Sequence, residues 1–324
     1  MGLFSYKNYF PVDGRTVVIT GGSQGMGLGV GKILSQKGAN VVIVARNKQR
    51  LEEAIKQISS AASKPSHQKF HTISADLTSS EENVRVLDEV TAWNDGQPPD
   101  IVWAVAGASV PALYIETSIE TLRSISRARY FEIMDEDFEF VRDAGKPQSS
   151  LPRHFIMTSS TAAFVGVAGY ATYSPAKAAM RSLADSLRSE INLYNGARRH
   201  DPPSGPSTDI KIHLVCPGTI LTEGLETENK TKHPVTHILE EGDPAQTGDQ
   251  VAEASIRGLE KDHYLITTQL LAHAMRASSL QGSPRNNWFI DTVFSWATSI
   301  AWLFIGPDME SKVFEYGKKH GIHA

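Results

Sequence analysis

The sequence predicts an α/β fold: a doubly wound parallel sheet followed by an apolar helical C-terminal extension. From residue 16 onward, short apolar runs alternate with turns and amphipathic stretches, which is the pattern of strands and helices in such a sheet. Several runs are apolar throughout, as expected for parallel strands that are covered on both faces. Beyond residue 268 this alternation stops, and a long apolar stretch follows.

Seven strands and six helices follow from this pattern. The predicted strands are residues 16–20, 40–45, 69–75, 100–105, 153–158, 210–215 and 263–268. The predicted helices are residues 25–37, 49–62, 79–93, 118–142, 172–194 and 245–260. A stretch rich in Gly, Pro and Ser, residues 195–208, is predicted to be a loop before the sixth strand. The chain then divides into an N-terminal tail (1–14), a main α/β domain (15–268) and the extension (269–324).

Composition limits the classes of function. The chain of 324 residues has 40% hydrophobic residues, enough for a substantial core, and a net charge of −4. Because there is no basic excess to meet phosphates, nucleic acid is not an expected partner. The one cysteine, Cys216, excludes an internal disulfide framework and a cysteine-rich metal site, and we expect no bound metal. The N-terminus has no long apolar core, so no signal peptide is predicted.

A glycine-rich turn follows the first predicted strand. Its pattern is T-G-x-x-x-G-x-G, formed by Thr20, Gly21, Gly25 and Gly27. Glycines at such a turn let the backbone approach a diphosphate, which the N-terminus of the next helix attracts. The phosphate-loop pattern does not fit, because Ile33 stands where Ser or Thr is needed. A glycine-rich turn alone is weak evidence, and its position after the first strand is what favours a nucleotide site.

The second strand ends without a carboxylate and with basic residues instead. Arg46, Lys48 and Arg50 lie in the seven residues from 44 to 50. An acidic residue at this point would hold the free ribose 2′-hydroxyl of NAD, whereas a guanidinium suits the 2′-phosphate of NADP, so NADPH is the predicted cofactor. The alternative is that these residues are the solvated start of a helix. Asp76-Leu77, after the third strand, is predicted to contact the adenine, unless Asp76 is a helix N-cap.

Tyr173 and Lys177 are the candidate catalytic pair. Four residues separate them, so both side chains project from the same face of a helix, and Pro175 is compatible with its first turn. An ammonium beside a phenol stabilises the phenolate and lowers its pKa toward the range of a general acid. The hydroxyl of Ser160 could bind the oxygen on which Tyr173 acts. Tyr170 lacks a base four residues on, and the alternative for the whole pattern is an ordinary surface Tyr–Lys pair.

Taken in order, these motifs resemble the short-chain dehydrogenase/reductase superfamily over about residues 15–268. The residues that carry the resemblance are Thr20, Gly21, Gly25, Gly27, Asp76, Ala106-Gly107, Ser160, Tyr173, Lys177 and Pro217-Gly218. Within that superfamily the chain is similar to the 3-ketodihydrosphingosine reductases, through the glycine turn, residues 44–46, residues 228–234 and the apolar extension. The resemblance implies a Rossmann fold and the reduction of a long-chain, lipid-like ketone by NADPH.

The resemblance also implies roles for individual residues. Tyr173 would donate the proton to the ketone oxygen, Lys177 would lower the pKa of that phenol and bind the nicotinamide ribose, and Ser160 would orient the carbonyl. The residues implied at the adenosine and diphosphate are Gly21, Ser23, Gln24, Gly25, Gly27, Arg46, Arg50, Asp76 and Leu77. Those implied at the nicotinamide end, besides Tyr173 and Lys177, are Gly107, Ile220 and Thr222.

Two departures from the superfamily pattern stand out. Val105 precedes Ala-Gly after the fourth strand, where relatives usually have Asn. The predicted helix 118–142, which in relatives supplies an asparagine to a proton relay, has none in residues 124–139, and Arg129 lies near the expected place. Five carboxylates occupy residues 132–139. Superfamily members commonly dimerise through this helix, so a homo-oligomer is implied, but the usual interface is altered here.

Within the extension, residues 288–305 form an apolar stretch of 18 residues. Its only charged residue is Asp291, and it contains three tryptophans. This length is the lower limit for crossing a bilayer, and tryptophan suits the membrane interface. We expect a membrane-associated segment, with Lys312, Lys318 and Lys319 near anionic lipid. The alternative is a buried helix or a dimer interface. By resemblance, the membrane is the cytosolic face of the endoplasmic reticulum.

Three hypotheses about function remain open from the sequence. The leading one is an NADPH-dependent reductase that acts on a long-chain sphingoid ketone at a membrane surface. A steroid or retinoid oxidoreductase on the same scaffold would fit the same motifs. A weakly active scaffold protein that binds NADP(H) is the third, and the retention of Ser160, Tyr173 and Lys177 argues against it.

Overall fold

Seven parallel strands form the central sheet in a computed structural model that describes residues 7–107, 109–120, 150–200 and 208–321. The strands of this sheet are β1 (Thr16–Thr20), β2 (Asn40–Ala45), β3 (Phe70–Ser74), β4 (Ile101–Ala104), β5 (Arg153–Thr158), β6 (Ile210–Cys216) and β9 (Leu265–Thr267). A separate pair of parallel strands consists of β7 (Ile220–Leu221) and β8 (Gln246–Thr247). The seven predicted strands are therefore all present, and the predicted doubly wound fold is confirmed.

Nine α-helices lie within the described residues. They are α1 (Gly25–Gln36), α2 (Lys48–Ser60), α3 (Ser80–Trp93), α4 (Ser174–His200), α5 (Glu223–Thr231), α6 (Pro234–Glu240), α7 (Gly248–Glu260), α8 (Leu270–Ser278) and α9 (Trp288–His320). Five of these match predicted helices. The sixth predicted helix, 118–142, and with it Arg129 and the acidic stretch 132–139, lies outside the described residues from 121 onward.

The order of the strands places the functional edge of the sheet. The order is β3-β2-β1-β4-β5-β6-β9, so the chain starts in the middle, builds outward to β3 and then crosses back to β4. Each core strand is apolar on both faces; in β1, Val17 and Ile19 belong to one buried cluster and Val18 to another. Ligands of such sheets bind at the carboxyl ends of the strands, where the direction of winding reverses. In this chain that point lies between β1 and β4.

The loop predicted at residues 195–208 is wrong in its first part, because α4 continues to His200. The side chain of Asn195 accepts a hydrogen bond from the backbone N–H of Ile210 at 3.0 Å and donates one to the carbonyl of Ile210 at 2.9 Å. Arg198 and Arg199 both pair with Asp209 at the start of β6. These contacts to the following strand hold the helix past the point where local composition predicts a break.

The extension begins with a buried ion pair that ties it to the rest of the molecule. Asp291, the only charge of the apolar stretch, receives Arg276 of α8 in a two-point contact at 2.5 and 3.1 Å. The Asp291 carboxylate also accepts a hydrogen bond from the backbone N–H of Asn286 at 2.8 Å. Loss of either partner of a buried ion pair strongly destabilises the folded protein, because it leaves the other charge buried and unpaired. The first turn of α9 is therefore an integral part of the folded chain.

Helix α9 is long and apolar enough to cross a bilayer by length and composition, with a mean hydropathy of 1.4 over its best window. Its outer face carries large apolar side chains at helical spacing, all about half exposed or more. They are Phe289, Val293, Trp296, Ile300, Leu303 and Phe304. The alternative of a helix buried within the chain is therefore wrong for this stretch, since only 6% of the window is buried.

A buried histidine pair joins β5 to β6. Nδ1 of His154 lies 3.0 Å from Nε2 of His213, whose Nδ1 lies 2.8 Å from the carbonyl of His263. Two neutral rings satisfy this geometry: the Nδ1–H of His154 donates to Nε2 of His213, and the Nδ1–H of His213 donates to the carbonyl of His263. Burial lowers the pKa of His213 to about 4 and that of His154 well below its ordinary value. Both histidines therefore stay uncharged in the folded chain.

This pair predicts a loss of stability on acidification. The unfolded chain takes up the proton near pH 6.5, while folded His213 resists it until about pH 4, so stability falls as pH drops below 6.5. His213 alone should lower the free energy of unfolding by about 1.3 kcal/mol between pH 7.5 and 5.5. Urea unfolding of the wild type, His213→Gln and the exposed-residue control His67→Gln should show a reduced pH slope only in His213→Gln. An unchanged slope in that variant contradicts the prediction.

Candidate active site and cofactor cleft

A cleft of about 1590 Å³ runs along the carboxyl ends of the strands. Every residue that the sequence analysis predicted for catalysis or cofactor binding lines this cleft. These are Gly21, Ser23, Gln24, Gly25, Gly27, Arg46, Arg50, Asp76, Leu77, Gly107, Ser160, Tyr173, Lys177, Ile220 and Thr222. Residues that are far apart in sequence thus share one cavity, with the glycine turn at one end and the extension at the other.

The glycine turn makes room for a ligand at the N-terminus of α1. Gly21 has a positive φ of 65°, and a Cβ there would lie 2.9 Å from the backbone of Ala106 at the end of β4. A Cβ at Gly27 would collide with the carbonyl oxygen of Gly21. The N-cap residue of α1, Gln24, makes no side-chain capping bond, and the first turn holds no acidic residue. The first N–H groups of α1 are thus available to an anion, which fits the diphosphate of a dinucleotide.

Two arginines stand at the adenosine end of the cleft. Arg50 is engaged: its guanidinium donates to Oε1 of Gln24 at 2.7 Å and pairs with Oε2 of Glu223 at 2.6 Å. Arg46 is exposed, and among the described residues its guanidinium forms no ion pair. The alternative of Asp76 as a helix N-cap is wrong, because Ser79 caps α3 while Asp76 binds Thr78 at 3.0 Å.

The catalytic candidates are brought together by β5 and the start of α4. Lys177 is buried, and its ammonium donates to the carbonyl of Thr158 at 3.1 Å and lies 5.6 Å from the ring centre of Tyr173. Tyr173 immediately precedes α4, and its carbonyl accepts the N–H of Lys177 at 3.2 Å. Ser160 caps a short 3₁₀ turn by accepting from the N–H of Ala162 at 3.2 Å. All three residues line the cleft.

Tyr170 lies beside Tyr173 but in a different environment. The two ring centres are 5.8 Å apart. Burial and a hydrogen bond to the Glu240 carboxylate raise the pKa of Tyr170 far above its ordinary value. Glu240 is itself paired with the buried Lys232 at 2.7 Å. A phenol that donates to a carboxylate is a poor proton donor to substrate, so the geometry distinguishes the two tyrosines.

The nicotinamide end of the cleft is formed by short elements that the sequence did not reveal. Ile220 lies in β7, and Thr222 caps α5 by accepting from the N–H of Leu225 at 3.1 Å. Helices α5 and α6, of nine and seven residues, lie in a region where the sequence analysis predicted no helix. Signals for both exist in the sequence: Thr222 precedes two glutamates in the first turn of α5, and Pro234 begins α6.

The apolar residues at the far end of the cleft were also missed by the sequence analysis. They come from five separate segments: Val165, Val167, Leu225, Ile238, Leu239, Leu271, Ala274, Met275, Ala301, Trp302, Ile305 and Met309. The residues of α9 that line the cleft recur every three or four positions. This spacing is visible in the sequence, but the sequence does not show which part of the protein this side of the helix faces. Residues of the extension therefore border the same cavity as Tyr173.

The fold and the site define a nucleotide-dependent oxidoreductase of the Rossmann type. Residues 15–233 match the family described as short chain dehydrogenase, and the chain belongs to that family. Its redox cofactor is a nicotinamide nucleotide, which the uncapped helix and glycine cradle fit.

Three curated relatives carry the same enzyme name. The 3-ketodihydrosphingosine reductase ksrA of Aspergillus fumigatus is 48% identical over 99% of this chain and 89% of its own length. The 3-ketodihydrosphingosine reductase gsl-3 of Neurospora crassa is 41% identical over 99% and 87%. The 3-ketodihydrosphingosine reductase TSC10 of Cryptococcus neoformans is 34% identical over 92% and 83%.

Solved structures agree on the fold. A short-chain type dehydrogenase/reductase from Mycobacterium ulcerans has a TM-score of 0.62 at 20% identity, with 80% of this chain and 89% of that chain covered. The apo form of LigD from Sphingobium sp. strain SYK-6 has a TM-score of 0.58 at 23% identity, with 83% and 96% covered. At these identities the likeness concerns architecture alone.

Proposed function

We propose that this chain reduces 3-ketodihydrosphingosine to dihydrosphingosine with NADPH, a step of sphingolipid biosynthesis. The observation that carries the proposal is that Ser160, Tyr173 and Lys177 line a cleft that is also lined by apolar residues of α6, α8 and α9. The names of the relatives at 48% and 41% identity support the same substrate.

In this reaction the ketone carbon gains a hydride and the oxygen gains a proton. The nicotinamide, when bound, supplies the hydride. Tyr173 donates its phenolic proton to the ketone oxygen, while Lys177, held by the carbonyl of Thr158, stabilises the phenolate that this leaves. The hydroxyl of Ser160 binds the carbonyl oxygen and fixes its direction. The product is the secondary alcohol.

The choice of NADPH rests on Arg46. Its exposed guanidinium follows β2 and can pair with a 2′-phosphate, whereas residues 44–50 hold no carboxylate for a 2′-hydroxyl. A charge-assisted bond contributes about 1.5–3 kcal/mol. Arg46→Ala should therefore raise KM for NADPH about tenfold or more and leave KM for NADH nearly unchanged.

Lys48→Ala is the matched control for this prediction. Lys48 is exposed, begins α2 two residues beyond Arg46 and does not line the cleft. It should change neither KM. Equal losses for both cofactors in Arg46→Ala would point to a folding role for that residue and against the phosphate contact.

The charge of the substrate end distinguishes an amino ketone from a steroid or a retinoid. Among the described residues that line this end, five are acidic: Glu228, Glu240, Glu241, Asp243 and Asp308. Lysines pair with two of the five, Lys312 with Asp308 at 2.8 Å and Lys232 with Glu240 at 2.7 Å, so the acidic excess at this end is three. A ketone with a neighbouring amine, protonated below a pKa of about 8, suits this end better than an uncharged steroid.

The test is NADPH oxidation by the purified full chain in detergent with a matched set of ketones. The set contains 3-ketodihydrosphingosine, the same ketone without its amino group, and a steroid ketone. We expect the amino ketone to have the highest kcat/KM. A preference for the steroid ketone, or no reduction of any of the three, would reject the proposed function.

We also propose that the enzyme works at the cytosolic face of the endoplasmic reticulum membrane. Under this proposal residues 15–268 bind cofactor and carry catalysis, while 269–324 contact lipid and substrate. The support is the exposed apolar face of α9 beside a cleft with an apolar end. In isolated microsomes, protease added outside should cleave the catalytic domain; protection until detergent is added would place the enzyme on the lumenal side.

A further inference from the structure

We propose that the inner face of α9 is the wall of the channel that holds the alkyl chain of the substrate, and that Ala301 sets the chain length accepted. The inference rests on the proposed function and adds a specificity-determining role for the extension. It is independent of membrane binding, because it concerns the face of α9 opposite to the exposed one.

The inner face of α9 is defined by the cleft itself. The residues of α9 that line the cleft are Thr298, Ala301, Trp302, Ile305, Asp308, Met309 and Lys312. Their spacing of three and four residues keeps them on one side of the helix. At about 100° per residue, this side lies opposite to the side that carries Trp296 and Ile300. The inner face is apolar at Ala301, Trp302, Ile305 and Met309 and polar at Thr298, Asp308 and Lys312, whereas the outer face is apolar and exposed.

The apolar part of the inner face is not covered by packed protein. Ile305 lines the cleft and is nevertheless 47% exposed, so its side chain borders open space instead of packed protein. Leu271 and Met275 of α8 line the same end of the cleft, and α8 packs against α9. Apolar surface left facing water is unfavourable, and a saturated chain of CH₂ groups is a ligand that would cover it.

The channel belongs to the same cavity as the candidate catalytic residues and is not a separate pocket. One cavity includes Tyr173, Leu239 of α6 and Met309 of α9. A ketone held at Tyr173 has its reacting group at one point of this cavity. The rest of the substrate must then extend toward the apolar end, where α9 forms a wall.

Small residues mark the place where the chain would pass. Ala274 of α8 and Ala301 of α9 both line the cleft, among larger neighbours such as Trp302. Adding atoms at such a position occupies the space that the ligand needs. Ala301→Leu should therefore obstruct the channel beyond the reacting end of the substrate.

The experiment compares Ala301→Leu with Ala297→Leu in the full chain in detergent. Ala297 lies one turn earlier on α9, is exposed and does not line the cleft. Ala297→Leu therefore makes the same change of side chain at a position outside the channel. The substrates are 3-ketodihydrosphingosine and a homologue with the same head group and a chain of about eight carbons. Met309→Trp, farther along the inner face, is a second variant that narrows the channel should Ala301→Leu fold poorly.

We expect Ala301→Leu to lower kcat/KM for the long ketone about tenfold or more and to leave the short ketone within about twofold, with Ala297→Leu unchanged for both. Flotation with liposomes should be the same for all variants. Equal losses for both ketones, or none in either inner-face variant, overturn the proposal. If the wild type reduces both ketones equally well, the channel is refuted while the reductase function stands; if it reduces neither, both fail.

Discussion

Tyr173→Phe should lower kcat for reduction of the long-chain ketone by about 10²–10⁴-fold or more while NADPH binding stays measurable. The substitution removes only the phenolic hydroxyl, so the ring keeps its place beside Tyr170 and Lys177. The proton source for the ketone oxygen is then absent, whereas the glycine cradle and Arg46 are untouched. Steady-state kinetics and NADPH fluorescence titration measure the two effects separately.

Tyr170→Phe is the matched control, since it removes the same hydroxyl from the neighbouring ring in the same cleft. Its hydroxyl donates to Glu240, which keeps Lys232 as a partner, so the loss should be within a few-fold. A Tyr173→Phe enzyme that keeps most of its activity, or a Tyr170→Phe enzyme that loses as much, would assign the proton transfer to another group.

The sequence predicted the cofactor end of the cleft better than the substrate end, and the reason is physical. Gly21 and Gly27 are needed by backbone contacts within one strand–turn–helix unit, so their spacing is visible locally. Lys177 reaches Tyr173 across one helical turn, which is likewise a local relation. Patterns of this kind depend on neighbours in sequence and can be read without knowledge of tertiary structure.

The substrate end depends on contacts between distant segments. Arg276 and Asp291 join α8 to the start of α9, and this ion pair helps to place α9 beside the cleft. No local sequence pattern predicts that the two residues pair. The stretch 288–305 is apolar on both sides, so its composition could not tell an outer face from a channel wall. Short helices such as α6 lack the length that makes periodicity readable.

The second large effect concerns the outer face of α9. Substituting Trp296, Ile300, Leu303 and Phe304 by Gln should release the full chain from liposomes. Burial of each side chain contributes about 1.5 kcal/mol at the lower end, so four account for about 6 kcal/mol, or about 10⁴-fold in the partition constant. Gln keeps helix propensity, and the substituted positions face away from the cleft.

Removal of all residues from 288 onward would be a weaker experiment. It deletes Asp291 and leaves Arg276 buried without its partner, at a cost of about 3–5 kcal/mol, so loss of binding could follow from unfolding. The four-residue variant keeps that ion pair and the inner face. Leu193→Gln with Tyr194→Gln, two exposed apolar residues of α4, is the control for a general loss of surface hydrophobicity.

The outer-face variant should separate delivery of the substrate from its turnover. A long-chain ketone leaves lipid slowly because each CH₂ costs about 0.8 kcal/mol in water, so a released enzyme meets it rarely. Activity should therefore fall strongly with the ketone presented in liposomes and stay near wild type with the same ketone in detergent, where delivery does not depend on α9. Unchanged flotation of this variant would instead assign its exposed apolar face to contact with another protein copy, which size-exclusion chromatography of the wild type without lipid would then reveal.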